Sequence, residues 1–398
     1  MLQYSEYHKI HLILSYNTDC KISLKGISIK MKTLILSCHT GEGHNSAADA
    51  IYEELLSQGE DCKVVDALIF SGKKPNEIVT SSYNSLIVKA PNVFGWIYKA
   101  GDLYRSTKLT SPVYYANTLY AKNLLEYIKE NQFDAIICTH LFPMEALTYL
   151  KRKHELQIKC YGVLTDYTCI PFFEETDLDG YFLPHRELMQ ECADKGMKKD
   201  RLIATGIPVH KKFSEHIQKN EARNHLVIPS DKKMYLIMTG GMGCGNILEL
   251  CNGLLKNPDK NIIIYVLCGR NDSLKEKVDH LHQTDQRVKA VVFTKEVYIY
   301  MKAADVLLSK SGGISSTEAA VTNIPLIHTM PIPGCETKNA TFFAEKGMSL
   351  YAKTTEQAAE FADSLINNPN KAERICDMQR QQINPNAAKD IAAYVLSQ

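Results

Sequence analysis

The stretch Thr33-Leu34-Ile35-Leu36-Ser37-Cys38-His39-Thr40-Gly41-Glu42-Gly43-His44-Asn45-Ser46 decides the architecture. An apolar run of strand length meets a glycine turn, and the spacing beyond it predicts a helix over residues 45–57, followed by a second strand at Cys62 to Val65. The rhythm returns at Ala135 to Cys138, with a helix over residues 143–153 and further strands at Lys159 to Leu164 and Gly180 to Leu183. Continuous Val/Ile/Leu runs alternating with amphipathic helices imply a parallel sheet covered on both faces.

The same rhythm starts afresh after Gly206 to Asp231. Strand-like runs occur at Met234 to Met238, Ile262 to Cys268, Val288 to Phe293, Val306 to Leu308 and Pro325 to Thr329, and a helical tail follows from about Thr355. The fold class is therefore α/β, with two doubly wound, Rossmann-like domains facing a central cleft, and a ligand belongs at the carboxyl ends of the strands. We divide the chain into an N-terminal extension (1–30), expected to be poorly ordered, an N-terminal domain (31–215) and a C-terminal domain with its terminal helices (216–398).

A chain of 398 residues with 45% hydrophobic and 23% charged residues can bury real cores, which excludes disorder, collagen and coiled coil. The 46 Lys and Arg balance 45 Asp and Glu, so no global field advertises a nucleic-acid partner. Twelve cysteines lie scattered without C-x-x-C pairs or metal-ligand spacing, and several sit inside strand-like runs. They read as free, buried thiols, and no metal site is expected. No run approaches the roughly eighteen apolar residues of a spanning helix, so any contact with a membrane is made from its surface.

Four loops carry the chemistry. In the first, Gly41 and Gly43 let backbone approach a ligand, and His44 stands at the cleft mouth, where an imidazole can act as general base. The same residues also read as a tight turn with a capping His and Asn. In the second, Thr239-Gly240-Gly241-Met242-Gly243-Cys244-Gly245, four glycines precede a helix, as in a backbone cradle for an anion or in a flexible turn. In the third, Ser311-Gly312-Gly313 open a helix carrying Glu318. Turn amides can hold a pyrophosphate there and the carboxylate can accept ribose hydroxyls; a Ser/Thr capping box is the structural alternative. In the fourth, Pro331-Ile332-Pro333-Gly334-Cys335-Glu336-Thr337-Lys338-Asn339-Ala340, the residues Glu336 and Asn339 are placed to read a sugar.

Together with Gly206-Ile207-Pro208-Val209, these five ordered motifs resemble the monogalactosyldiacylglycerol synthases and processive diacylglycerol glucosyltransferases of glycosyltransferase family 28. The resemblance runs from about Met31 to Ser397. It implies a GT-B fold, with the acceptor held mostly by the N-terminal half and a UDP-sugar by the C-terminal half. His44 then corresponds to the general base and Glu318 to the ribose-binding glutamate. Gly240, Gly241, Ser311, Gly312 and Gly313 fall on the pyrophosphate side, Glu336 and Asn339 in the donor-sugar segment, and Thr294 near the uracil. His210 occupies a position where some relatives carry an arginine toward phosphate.

The segment Thr165-Asp166-Tyr167 is similar to one in the lipid enzymes, and there Asp166 either polarises His44, serves as an alternate base or caps a turn. Between Ser82 and Tyr120, aromatic residues including Trp96 and Tyr98 mingle with Lys99 and Arg105. That mixture suits a contact with an anionic membrane surface, and it also suits helical packing. The resemblance implies an inverting hexosyltransferase with UDP-glucose or UDP-galactose as donor and diacylglycerol as acceptor. It also implies no cofactor and a peripheral location on the cytoplasmic, inner face of the cell membrane. Alternatives are a family 28 enzyme acting on a polyprenyl-linked precursor, a UDP-sugar epimerase of the same fold, and a non-catalytic nucleotide-sugar binder.

Overall fold

Alternation along the strands builds two sheets, each with one face per set of side chains. The computed structural model describes residues 30–39, 42–72, 101, 104, 109–240, 246–257, 259 and 261–398. The proposed extension therefore lies outside the described residues apart from Lys30.

In the first lobe, β1 (Lys32–Ser37), α1 (Glu42–Ser57) and β2 (Asp61–Asp66) are followed by α2 (Pro112–Thr118), α3 (Ala121–Asn131), β3 (Ala135–Cys138), α4 (Leu141–Arg152), β4 (Lys159–Val163), β5 (Gly180–Leu183), α5 (Leu188–Asp194) and β6 (Leu202–Ala204). The second lobe runs α6 (Lys219–His225), β7 (Lys233–Met238), α7 (Ile247–Leu255), β8 (Ile262–Gly269), α8 (Asp272–Thr284), β9 (Val288–Val292), α9 (Val297–Ala303), β10 (Val306–Ser309), α10 (Gly313–Thr322), β11 (Leu326–His328), α11 (Cys335–Glu345) and β12 (Leu350–Tyr351). Three helices close the chain: α12 (Thr355–Ile366), α13 (Pro369–Gln382) and α14 (Ala387–Leu396).

The strand order is β2-β1-β3-β4-β5-β6 in one sheet and β12-β11-β10-β7-β8-β9 in the other, with parallel pairing throughout. Each order reverses once, between β1 and β3 and between β7 and β10, and those two crevices are where such sheets bind ligands.

Period-two patterning decides which residues go inward. Leu34, Leu36, Ile136 and Cys138 face the α3–α4 side, while Ile35, Ile137, Val163 and Phe182 face α1. The second sheet behaves likewise, Leu236 and Leu307 on one face and Ile237, Ile264 and Leu308 on the other. Ile207, Val209 and Phe213 join the core of the second lobe, so the Gly-Ile-Pro-Val junction is packed on both sides.

One boundary differs from the sequence expectation. The sequence places residues 216–398 in the C-terminal domain, yet Ile391, Ala392 and Val395 of α14 pack with Ile35, Ile51 and Leu55, and Tyr394 meets Tyr161 and Phe182 edge-on at 5.9 and 5.5 Å. The apolar stripe of α14 covers the face of the first sheet that α1 leaves open, which removes more apolar surface from water than a solvent-facing tail would. Cys38, Cys138, Cys160 and Cys268 are buried free thiols, as the strand-like runs implied, and burial pushes the Cys38 and Cys138 thiols well up, away from nucleophilic thiolate. Among the described residues no helix is long and apolar enough to cross a membrane.

Candidate functional site

His44 sits in the first turn of α1, which starts directly behind β1 and so delivers the imidazole to the β1/β3 crevice. Its Nδ1 lies 2.8 Å from the Thr139 carbonyl oxygen, just past β3. A carbonyl only accepts, so the proton resides on Nδ1 and, in the neutral ring, Nε2 is the basic nitrogen. The Thr165 hydroxyl oxygen is 3.1 Å from the same Nδ1, and Thr139 Oγ1 returns a 2.9 Å bond to the His44 carbonyl. His140, which caps α4 by accepting from the Phe142 N–H, packs edge-on against the His44 ring with centroids 4.5 Å apart. Burial lowers the His44 pKa from its ordinary value, opposed by the Asp166 charge, and burial lowers His140 well below its own. Both rings are thus neutral near neutral pH, the state a general base requires.

Asp166 follows β4 and accepts from Asn339 Nδ2 of α11 at 2.7 Å. Burial raises its pKa, while the Asn339 bond and the neighbouring His44 oppose that rise. The second lobe supplies the rest from the strand ends around β7 and β10. Gly240 follows β7 at φ +71°, a conformation that side chains rarely adopt, and a Cβ there would push Lys310 Cε, 2.4 Å away, aside. Lys310 pairs with Glu336 at 2.6 Å, and the other Glu336 oxygen accepts from the Ile332 N–H at 2.9 Å. The buried Ser311 hydroxyl donates to the Glu336 carbonyl at 2.6 Å. Gly312 is the residue before α10 and Gly313 its first, leaving the turn amides without a side chain in front of them.

Glu318 lies one turn into α10 and reaches across to Ser46 of α1 at 3.5 Å. Its pKa is pushed up to about 7 by burial, with Lys212 pulling the other way. Gly43 approaches Ile314, where a Cβ would come within 3.3 Å. His44, Asp166, Ser311, Gly313, Glu318, Glu336 and Asn339 are therefore brought into one interlobe cluster.

Thr294 stands apart at the end of β9, accepting from the Glu296 N–H at 3.0 Å. Nearby, Arg270 lies over the Phe293 ring at 4.4 Å and pairs with Glu42 of the first lobe. His210 is engaged by Glu53 at 2.7 Å. Gly41, Gly241, Trp96, Tyr98, Lys99 and Arg105 lie outside the described residues. The motifs alone do not point to Thr139, His140, the Thr165 hydroxyl or Ser46. For Thr139, His140 and Thr165 the signal is the same as for Asp166, a polar pair placed after an apolar strand, while Ser46 lies inside α1 and has no such signal.

This pair of doubly wound lobes with a glycine-lined interlobe site is the GT-B fold. Residues 44–209 match the family profile described as monogalactosyldiacylglycerol (MGDG) synthase, and residues 236–394 match the glycosyltransferase family 28 C-terminal domain. The chain is 29% identical over 349 residues to a processive diacylglycerol beta-glucosyltransferase of Bacillus pumilus, covering 86% of this chain and 88% of that one. With the enzyme of the same name from Bacillus cytotoxicus it shares 27% over 370 residues, covering 92% and 94%. Among solved structures, Acinetobacter baumannii MurG superposes with a TM-score of 0.61 at 15% identity, covering 92% of this chain and 100% of that one. The S. aureus MnaA–UDP complex gives 0.61 at 12% identity, covering 92% and 96%. The chain thus carries an N-terminal domain of the monogalactosyldiacylglycerol synthase family and a C-terminal domain of glycosyltransferase family 28.

Proposed function

We propose that this protein transfers a hexosyl group from a UDP-sugar, UDP-glucose or UDP-galactose, to the free hydroxyl of diacylglycerol, with inversion at the anomeric carbon. The observation that carries the reading is His44, neutral and with Nδ1 committed to the Thr139 carbonyl, facing a glycine-lined anion cradle on the opposite lobe. The Bacillus relatives, processive diacylglycerol beta-glucosyltransferases that align over most of the chain, support diacylglycerol as acceptor and a hexose as the group moved.

The chemistry follows from the residue types. The acceptor hydroxyl gives its proton to His44 Nε2 while its oxygen attacks the anomeric carbon. The bond from that carbon to the diphosphate oxygen breaks, and UDP leaves with the electron pair. Backbone amides before and within the first turn of α10, with the helix dipole behind them, meet the charge that develops on the diphosphate. Glu318 is assigned to the ribose hydroxyls, Glu336 to the donor sugar and Thr294 to the uracil side. Asp166 stabilises the imidazolium once the proton has moved. No step in this route calls for a cofactor.

Ile69, Leu109, Tyr115 and Leu119 are large apolar residues left exposed on segments that flank residues 73–108 in sequence. With the aromatic and basic stretch between Ser82 and Tyr120, they support a peripheral contact with an anionic bilayer, which we assign to the cytoplasmic face.

Incubation of the protein with labelled UDP-glucose or UDP-galactose and vesicles of diacylglycerol with anionic phospholipid tests the reading. A glycolipid from one of the two donors is expected. Epimerised free nucleotide sugar, or tight UDP-sugar binding with no turnover on any lipid, would replace transfer by isomerisation or by sensing.

A further inference from the structure

Thr165, Asp166 and Tyr167 run from the end of β4 into the second lobe and touch both halves of the site. Thr165 places its hydroxyl 3.1 Å from His44 Nδ1. Its carbonyl oxygen presses so closely on α10 that a Cβ on Gly313 would lie 1.9 Å away. Asp166 accepts from Asn339 Nδ2, and the Tyr167 N–H donates to Asn339 Oδ1, each at 2.7 Å. The second Asn339 N–H goes to the Ser311 carbonyl at 2.9 Å. Tyr167 then enters the second lobe as an anchor, its hydroxyl 2.8 Å from Thr317 Oγ1 and its ring stacked on Phe342 and edge-on to Phe343 at 5.0 and 4.9 Å.

Asn339 is fully buried, and both of its N–H donors are committed to this strap. An amide so engaged has no donor left for a sugar hydroxyl, which is the role its motif implied. We propose that Asn339 is a positioning residue that acts through Thr165–Tyr167 on His44, coupling the Thr165 hold on the base to closure of the two lobes. The inference rests on the reading of His44 as the acceptor base. Its chemical consequence is that the imidazole, already held by the Thr139 carbonyl of its own lobe, gains its second hold when Ser311 and Gly313, the anion-side residues, are seated against the same strap. An open enzyme then has a less firmly aligned base with which to activate water against the donor.

The groups that face His44 set the spectroscopic readout. His140 packs on it from the β3–α4 turn and Asp166 from the strap, while Lys310 and Glu336 act on Asp166 from behind. Burial is the largest influence on the ring, ahead of Asp166. Releasing the strap therefore hydrates His44 and moves its titration upward, toward an ordinary histidine.

The test compares the parent protein with Asn339→Asp, Asn339→Ala and Thr165→Val. Transfer kinetics, UDP calorimetry and the His44 imidazole titration by NMR are measured on each. Asn339→Asp sets a carboxylate against Asp166 and the Ser311 carbonyl, and kcat should fall about a hundredfold while UDP affinity and donor KM stay within a few-fold. Its His44 titration should move up. Thr165→Val keeps the backbone path and removes only the hydroxyl contact, so a fall in kcat of about tenfold with UDP binding intact is expected even if Asn339→Ala folds poorly. A donor KM that rises while kcat holds would make Asn339 a sugar reader and overturn the proposal, as would an unmoved titration. If the parent forms no glycolipid yet Asn339→Ala or Thr165→Val, which add no charge, shifts the titration, the strap stands and the acceptor-base reading falls.

Discussion

The carbonyl oxygen of Thr139 lies 2.8 Å from His44 Nδ1, so a backbone acceptor, rather than a carboxylate, sets the tautomer of the candidate base. A main-chain partner carries no charge and cannot be protonated, and it holds Nε2 available at any pH where the ring is neutral.

For His44→Ala, loss of the base should lower kcat by about a hundredfold to ten-thousandfold while UDP affinity stays within a few-fold. In the parent enzyme, burial lowers the His44 pKa, so the acid limb of the kcat profile should fall below the ordinary histidine value of about 6.5. Steady-state rates across pH 5 to 8 check both points. Unchanged turnover in the variant would remove His44 from the mechanism.

Glu318 titrates near neutrality, its pKa pushed up to about 7 by burial. Accepting two ribose hydroxyls requires the carboxylate, so UDP affinity should rise as pH increases through 7. Glu318→Gln should weaken binding by about tenfold to a hundredfold and flatten that dependence, in line with the worth of hydrogen bonds to a charged acceptor. Calorimetry at pH 6 and 8 reads both. In the ligand-free protein the raised pKa means that the fold holds a proton which the unfolded chain releases. This group's contribution therefore declines as pH rises from about 4.3 to 7, by a few kcal/mol at most.

Gly313→Ala would place a methyl group 1.9 Å from the Thr165 carbonyl oxygen. Backbone atoms on both sides leave nothing flexible to give way. The variant should keep both lobes folded and lose transfer by about a hundredfold, because lobe closure and base alignment fail together. Scattering in solution should show a more expanded particle than the parent.

His328 on β11 bonds Ser316 at 2.9 Å and Ser349 at 3.1 Å and is fully buried, with its pKa pushed down to about 3 by burial. The fold therefore keeps this ring neutral, and its contribution is complete above about 6.5, the unfolded value, and erodes as pH falls toward 3. Between pH 7 and pH 5 about 2 kcal/mol should be lost through this residue. Urea midpoints at the two pH values, for the parent and for His328→Gln, should show a smaller acid penalty in the variant, whatever its absolute stability.

Ile391→Ala in α14 tests the assignment of that helix to the first lobe. A fully buried Ile whose neighbours include Ile35, Ile51 and Leu55 should cost about 2–5 kcal/mol on truncation. The loss should appear in the amide exchange of β1 and α1. Destabilisation confined to the second lobe would contradict the packing.

Much of the site was legible in the residues themselves. Apolar runs of strand length, each followed by glycine or hydroxyl residues and a helix, place Gly240, Ser311, Glu318 and Glu336 at strand ends, because parallel α/β units put loops of that kind at one edge of the sheet. His44 was legible for the same reason. The pairing of Glu318 with Ser46, 272 positions away, was not, because periodicity encodes which face a residue takes and nothing of what comes to meet that face.

The sequence by itself determined two parallel sheets, their alternating cores and the loops that carry the functional groups, since those follow from local geometry and from hydrophobic period. Tertiary structure alone decided that α14 returns to the first lobe, that the Thr139 carbonyl sets the His44 tautomer, and that Asn339 spends its amide on Asp166, 173 positions away, and on Tyr167. Main-chain carbonyls are identical at every position, and an asparagine has the same donors for a sugar as for a neighbouring loop. Which partner each group takes is settled only when the chain folds and brings particular acceptors within reach.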